Sequence, residues 1–286
     1  MKTIVTITLL LLLHSGLAQS HTDKQEFTID TQNLKAFHLY NRTGNVKVKG
    51  IGGQTATLKV TRKLSTSSSN RLEEAKSEIK LDSIVDDNTI YFFVKSNNHT
   101  FVIDEDGYGS YNSCCNTGWR DGDREVEHEF VIELGIPRKM NLVVSTHRED
   151  LEIEDFDGKL SARTHHGDLT AKNLGGVAQL GSHHGNIDAS FTKNPSADCS
   201  YKTHHGDIRI TYQSGLSSVA YFKSRHGSFY SDFDWSPQTI PVVKTNLKNG
   251  TKYKMSNSTA VKIGAGGLEQ SFQTWHGDIY LLLSKN

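Results

Sequence analysis

In the second half of the chain, apolar side chains recur at every second position and then change phase at a short polar phrase. Met140/Leu142/Val144, Leu160/Ala162, Ala178/Leu180, Tyr201, Ala220/Phe222 and Phe272 run in step with Thr146, Thr164, Ser182, Thr203, Ser224 and Thr274. Successive strand side chains point to opposite faces, so each set shares one face, expected to be the inner one. The apolar set resumes as Leu169/Ala171, Ile187/Ala189, Ile208/Ile210, Phe229 and Ile279/Leu281, an odd step beyond the Thr or Ser, so the chain must turn in between. The phrase at the turn reads Thr164-His165-His166-Gly167-Asp168-Leu169, Ser182-His183-His184-Gly185-Asn186-Ile187 and Thr203-His204-His205-Gly206-Asp207-Ile208. Looser copies start at Ser224 and Thr274, and a degenerate one at Thr146. Glycine accepts positive φ and Asp or Asn tolerates tight turns, so Gly167, Gly185, Gly206, Gly227 and Gly277 are expected as structural corners.

The starts Thr146, Thr164, Ser182, Thr203 and Ser224 lie 18, 18, 21 and 21 residues apart. A steady period near 20 in a β-rich sequence predicts a solenoid, each repeat one coil on the next. Residues 140–286 are therefore expected to form a single-stranded β-solenoid (β-helix) with about 18–21 residues per coil, its corners lying directly above one another. The last copy starts 50 residues after Ser224, and residues 234–250 read as an insertion.

Residues 19–139 form a β-rich N-terminal region in this reading. Phe27/Ile29, Leu34 to Leu39, Val46/Val48, Thr57 to Thr61, Ile90 to Val94 and Glu125 to Leu134 read as strands. One short helix is expected near 71–80, with Ser69 or Asn70 as its cap. Residues 104–123, rich in Gly, Asp and Ser, read as one long loop displaying Tyr108, Tyr111 and Trp119.

Composition narrows the class. Lys2, an apolar run from Ile4 through Leu13 and Gly16-Leu17-Ala18 make residues 1–18 a signal peptide, which implies an exported protein: periplasmic, outer-envelope or extracellular. No second long apolar run exists, so no transmembrane segment is expected in the mature chain. Lys+Arg and Asp+Glu balance at 32 each, which gives no reason to expect nucleic acid. The three cysteines allow at most one bridge, from Cys199 to Cys114 or Cys115, and are too few for a disulfide scaffold. Sequons at Asn41, Asn98, Asn249 and Asn257 would mark surface positions in a glycosylating host.

Candidate chemistry centres on the histidines. His147, His165, His183 and His204 take the outward parity, continued by Arg225 and Trp275. His166, His184, His205, His226 and His276 take the parity of the core, at the corner, beside Arg148. Stacked coils would turn each column into a ladder of neutral imidazoles, and the Thr/Ser column could hydrogen-bond along the stack. The competing reading has His165, His166, His183, His184, His204, His205, His226 and His276 supply nitrogen ligands to Zn²⁺ or another transition metal. Parallel rings converge poorly on a metal, and neither HExxH nor paired Cys-x-x-Cys occurs. A third reading uses the stacked acids Asp150, Asp168, Asp207 and Asp278 to cleave a polysaccharide, against which stands ordinary Asx-turn chemistry. Asp104, Asp106, Asp121 and Asp123 could offer hard oxygens to Ca²⁺ but lack a full calcium-loop spacing.

From about Glu125 onward the layout resembles a bacterial domain family known as "putative adhesins", exported β-strand-repeat proteins of unknown function. The resemblance rests on a strand ending in Ile136-Pro137, a Leu142-to-Thr146 strand entering the repeats, the recurring Thr-x-x-Gly-Asp-Ile, and a closing Gly266-to-Ile279 segment. It implies an exported β-helical binding or structural module that contacts an unknown protein or glycan surface, with no catalytic residues to carry over. The His-His doublets depart from the family pattern, in which the second position is commonly small. The expectation is thus a non-catalytic, adhesin-like envelope or surface protein, not an enzyme.

Overall fold

The computed structural model describes residues 19–96, 99–113, 126–240, 243–247, 250–254 and 258–285. Among the described residues the protein is all-β apart from one helix, with a 10-stranded and an 11-stranded sheet and two small hairpins. Both sheets are mixed, and they share one hydrophobic core as in a sandwich. The all-β class expected from the sequence is met, in two facing mixed sheets.

Along the repeats the chain passes from sheet to sheet. Asn141–Arg148, Leu160–His166, Ala178–Gly181 and Cys199–Lys202 belong to the 11-stranded sheet. Leu151–Glu154, Leu169–Leu174, Ile187–Phe191 and Ile208–Tyr212 belong to the 10-stranded one. Successive members of each set pair in parallel, in the registers Leu142↔Leu160↔Ala178 and Leu151↔Leu169↔Ile187↔Ile208. The apolar residues read from the alternation are the buried ones, with Leu142, Leu151, Leu160, Leu169, Ile187 and Ile208 at most 1% exposed.

The order of the rungs departs from the sequence. Leu268–Gln273 lies between Cys199–Lys202 and Ser218–Lys223, and Ile279–Leu283 lies between Ile208–Tyr212 and Phe229–Ser231. The C-terminal repeat is thus inserted inside the stack, and the Ser224 copy sits outside it. The intervening segment includes Trp235–Gln238 and Thr259–Ile263, which add antiparallel strands to the exposed edge.

The same two sheets continue into the N-terminal region. Ala36–Tyr40 and Val46–Ile51 pair in parallel with Asn141–Arg148 and Leu151–Glu154. The turn between them, Asn41-Arg42-Thr43-Gly44-Asn45, is a further copy of the corner that the sequence reading missed. Its Gly44 has φ +108°, and Asn45 stands where the other copies carry Asp, Asn or, in the Ser224 copy, Ser228. Beyond it, Thr89–Lys95 and Val126–Pro137 extend the parallel sheets, and Lys80–Asp86, Gln19–Asp30 and Thr55–Thr66 close them with antiparallel strands.

The helix spans Ser69–Glu78, and its cap is Ser68, one residue earlier than expected, whose hydroxyl accepts from Arg71 N at 3.4 Å. Leu72, Ala75 and Ile79 are buried. The buried Arg62 donates to the carbonyls of Lys76 and Ile79 at the helix end, and its other nitrogens meet Asp23 at 2.8 and 2.9 Å. The expected loop 104–123 begins as a hairpin: His99–Ile103 pairs with Gly109–Ser113, and Asp104 caps the turn by accepting from Tyr108 N. Tyr111 is packed inward, edge to face against Phe101, accepting from Val94 N and donating to Tyr40 O. Trp119 and the remainder of that loop lie outside the described residues.

Candidate functional site: a histidine-lined corner

Each corner is assembled from the inside outward. In four copies the Thr or Ser, buried except at the half-buried Ser224, donates its hydroxyl to a glycine carbonyl on the neighbouring rung: Ser182 to Gly167, Thr203 to Gly185, Thr274 to Gly206 and Ser224 to Gly277, at 2.9–3.2 Å. The hydroxyls therefore bond to backbone and not along their own column. Gly206 takes φ +144°, and a Cβ there would lie 2.6 Å from the Gly185 carbonyl carbon. After the glycine, side-chain oxygens of Asn45, Asp150, Asp168, Asn186, Asp207 and Asp278 each accept a backbone N–H from the next rung, at 2.7–3.2 Å. Two ladders of hydrogen bonds thus flank the glycine and hold the corners in line.

With the corner pinned, the imidazoles are brought into two files. In the first, His147, His165, His183 and His204 stack with centroids 4.6–4.9 Å apart and planes within 6°. Trp275 continues the file at 5.6 Å, and the Arg225 guanidinium lies 4.5 Å from its ring centroid. In the second, His166, His184, His205, His276 and His226 stack at 4.7–5.0 Å within 7°. The spacing follows from parallel strands roughly 4.8 Å apart. Within one rung the two rings meet edge to face at 4.4 Å.

The second file corrects the expected parity. His166, His184, His205, His226 and His276 are exposed, because the backbone is already turning at that residue and swings the side chain outward. The inward place at the corner is filled by the Thr or Ser hydroxyl instead.

Loss of hydration lowers the pKa of His147, His165, His184, His204 and His276 below the ordinary imidazole value, and neighbouring imidazoles push the same way. Arg148 and Arg42 add to this at His147, Lys202 at His204 and Arg225 at His276. The Nδ1 atoms of His165 and His204 are buried without a hydrogen-bond partner. A proton on either would be an unsatisfied buried donor, which disfavours the Nδ1–H tautomer at His165 and His204. Past His147 the face opens into a cleft lined by Arg42, His128, Glu129, His147, Arg148 and Glu149 among others.

No family model and no curated protein matches this chain. Among solved structures it is similar to a "putative cell adhesion protein" from Clostridium sporogenes, with a TM-score of 0.48 and 11% identity over 92% of this chain and 100% of that one. It is also similar to a "putative adhesin" from Bacteroides fragilis, with a TM-score of 0.36 and 13% identity over 91% of this chain and 97% of that one. A "putative lipid binding protein" from Parabacteroides distasonis has a TM-score of 0.26 and 10% identity over 91% and 96%. At these scores the site must be read from its own residues.

The structure places the other candidates as follows. Among the described residues no group of three or more His, Cys, Asp or Glu side chains is arranged to hold a metal ion. The stacked acids Asp150, Asp168, Asp207 and Asp278 each commit one oxygen to the backbone of the next rung, and Asp207 also pairs with Arg209. Asp104 caps its hairpin, Asp106 lies in the same turn, and Asp121 and Asp123 fall outside the described residues. Cys199 is a buried free thiol, its pKa raised by burial, while Cys114 and Cys115 lie outside the described residues. Asn41 is buried and its amide donates to Gly44 O and Phe130 O, so it does not mark the surface. The other three sequon asparagines are outside the described residues. No described helix is long and apolar enough to cross a membrane.

Proposed function

We propose that this chain is an exported, non-catalytic binding module of the cell envelope, adhesin-like in role. In this reading the two sheets are the two walls of one β-solenoid, and the repeat region 140–286 continues a winding that begins with residues 36–51. The apolar leader of residues 1–18 supports export, and the recurring phrase supports the adhesin-like role. The observation that carries the binding assignment is the double file of solvent-facing imidazoles. A protein that needed only stable corners has the Thr, Gly and Asx ladders for that purpose. Exposed aromatic nitrogen along a whole edge adds recognition capacity and little to the core.

Beads carrying the purified chain, presented to intact bacterial envelopes and to a panel of purified glycans, test the proposal. Retention should be seen with the parent and lost with the H166S/H184S/H205S variant, whose substitutions lie on exposed positions. Equal retention of both would move the binding surface elsewhere. Retention of neither, on any surface, overturns the binding role.

A further inference from the structure

The histidine files have permanent cations along one border. The outward column beside the first file, one step back along each strand of the 11-stranded sheet, reads Ser145, Arg163, Gly181, Lys202, Gln273 and Lys223 in register. Arg163, Lys202 and Lys223 are exposed, as are Arg148 at the head of the second file and Arg225 at the far end of the first. Among the described residues none of Arg148, Arg163, Lys202 or Lys223 has an ion-pair partner. The other wall differs: there Lys47 pairs with Glu152 at 3.0 Å and Arg209 pairs with Asp207. Charges that balance over the whole sequence are therefore separated at this corner. Acids lie on the far side of the glycines, tied to backbone N–H groups, and uncompensated cations lie on the near side.

We infer that this border and the adjoining imidazole files form a docking track for an anionic glycan, a linear polysaccharide carrying repeated carboxylate or sulfate groups. The inference rests on the binding-module reading above and adds the partner's chemistry. A row of cations and N–H donors repeating at the strand spacing presents one polar group to the ligand every rung, over roughly 24 Å from the His147 rung to the Arg225 rung. Repeated anions on a linear chain match that layout, and Lys and Arg supply the attraction while Nε2–H groups supply directional bonds. Two alternative polyanions fit less well. Trp275 has one face against His204 and the other under Arg225, so it offers no free ring on which a nucleobase could stack. Among the described residues the other exposed large apolar side chains, Ile84, Val85, Tyr108, Tyr230 and Trp235, lie outside the two histidine files and form no apolar edge along them for insertion into an anionic bilayer.

The test uses the full chain with dextran sulfate and polygalacturonate as probes, and neutral dextran, oligo-dT and phosphatidylserine vesicles as comparators, at fixed pH near neutrality. Both acidic glycans should bind, dextran should not, and affinity should fall by about tenfold or more as salt is raised from roughly 0.05 to 0.2 M. The R163Q/K202Q/K223Q variant should lose about tenfold or more in affinity with an unchanged thermal midpoint. A second variant, K47Q/K49Q on the other wall, should bind as the parent does. Failure of both acidic glycans to bind, binding that ignores salt, or equal loss in the two variants would overturn the track. Preference for oligo-dT or vesicles would overturn the glycan assignment. Binding of neutral dextran alone, lost in the H166S/H184S/H205S variant, would sink the anionic partner while leaving the binding module standing.

Discussion

At Gly206 two constraints coincide, a φ of +144° and the Gly185 carbonyl lying where a Cβ would go. Gly206→Val should therefore cost about 3 kcal/mol through strain and overlap together. Urea unfolding at the parental midpoint would refute that assignment. The Asx ladder makes a subtler claim. Asn186→Ala removes the acceptor for Asp207 N–H and should cost about 1–2 kcal/mol, whereas Asn186→Asp keeps the acceptor and should cost far less. The histidines give the pH dependence. His147, His165, His184, His204 and His276 are held below their ordinary value, and burial takes His38 down to about 4. A lowered folded pKa means the unfolded chain binds more protons, so the stabilisation is complete well above the unfolded value near 6.5. It is lost as pH falls from about 6.5 toward about 4. The thermal midpoint should drop steadily across that window, and a flat profile would contradict the desolvated, stacked rings. Residue by residue, Gly167, Gly185, Gly206 and Gly277 were legible because each takes the positive φ that few side chains accept, whereas Gly227 closes its corner without one. The exposure of the second histidine file was not. Strict two-residue parity fails once the backbone turns, and it turns at that residue.

Among elements, the strands of residues 140–223 followed from alternation alone, since a face buried on one side writes a period of two into the sequence. Asn41–Asn45 escaped notice because its copy keeps only the Gly-Asx pair and lacks histidine altogether. The hairpin His99–Ile103 with Gly109–Ser113 was hidden by the polar composition of its turn. Its anchors are aromatic, with Phe101 stacked on Phe93 at 4.2 Å and Tyr111 donating to the distant Tyr40 O. The helix Ser69–Glu78 depends on a partner outside itself. Arg62 reaches its last carbonyls while paired with Asp23, so Arg62→Met should unseat the helix end and leave Asp23 without its cation. A loss of about 2–4 kcal/mol is expected in chemical denaturation, with weakened amide protection confined to residues 69–79. Protection lost uniformly over the chain would refute the local role.

On the scale of the whole molecule, the out-of-order rung has a mechanical consequence. Among the described strands, Ser218–Lys223 and Phe229–Ser231 pair with the stack through Leu268–Gln273 and Ile279–Leu283. A chain ending at Ser258, which removes the antiparallel partner Thr259–Ile263 as well, should thus lose amide protection over 218–231 while Asn141–Gly181 stays protected. Retained protection at Ser218–Lys223 would show that it can pair with Cys199–Lys202 directly. Selection of the inserted strand is built into the core. Tyr201, Phe272 and Phe222 stack at 5.1 Å steps, and the buried Tyr212 hydroxyl, bonded to Tyr201, donates to Gln270 Oε1 at 2.8 Å. Gln270→Leu should leave the Tyr212 hydroxyl with one partner fewer and lower stability by about 1–2 kcal/mol, read as a shift in urea midpoint. An unchanged midpoint would remove this contact from the selection of the rung.

The sequence by itself determined the all-β class, the two-residue alternation of the inner faces and the corner chemistry, because glycine at positive φ and a short hydroxyl beside it are local requirements. Tertiary structure alone decided which rung lies next to which, since repeats with the same backbone pairing surface can neighbour one another in any order. Contacts between residues far apart in the chain, Tyr212 with Gln270 and Tyr201 with Phe272, distinguish one order from the rest. They likewise decide that the cations of Arg163, Lys202 and Lys223 share a border, because a charge column exists only once the rungs have been placed.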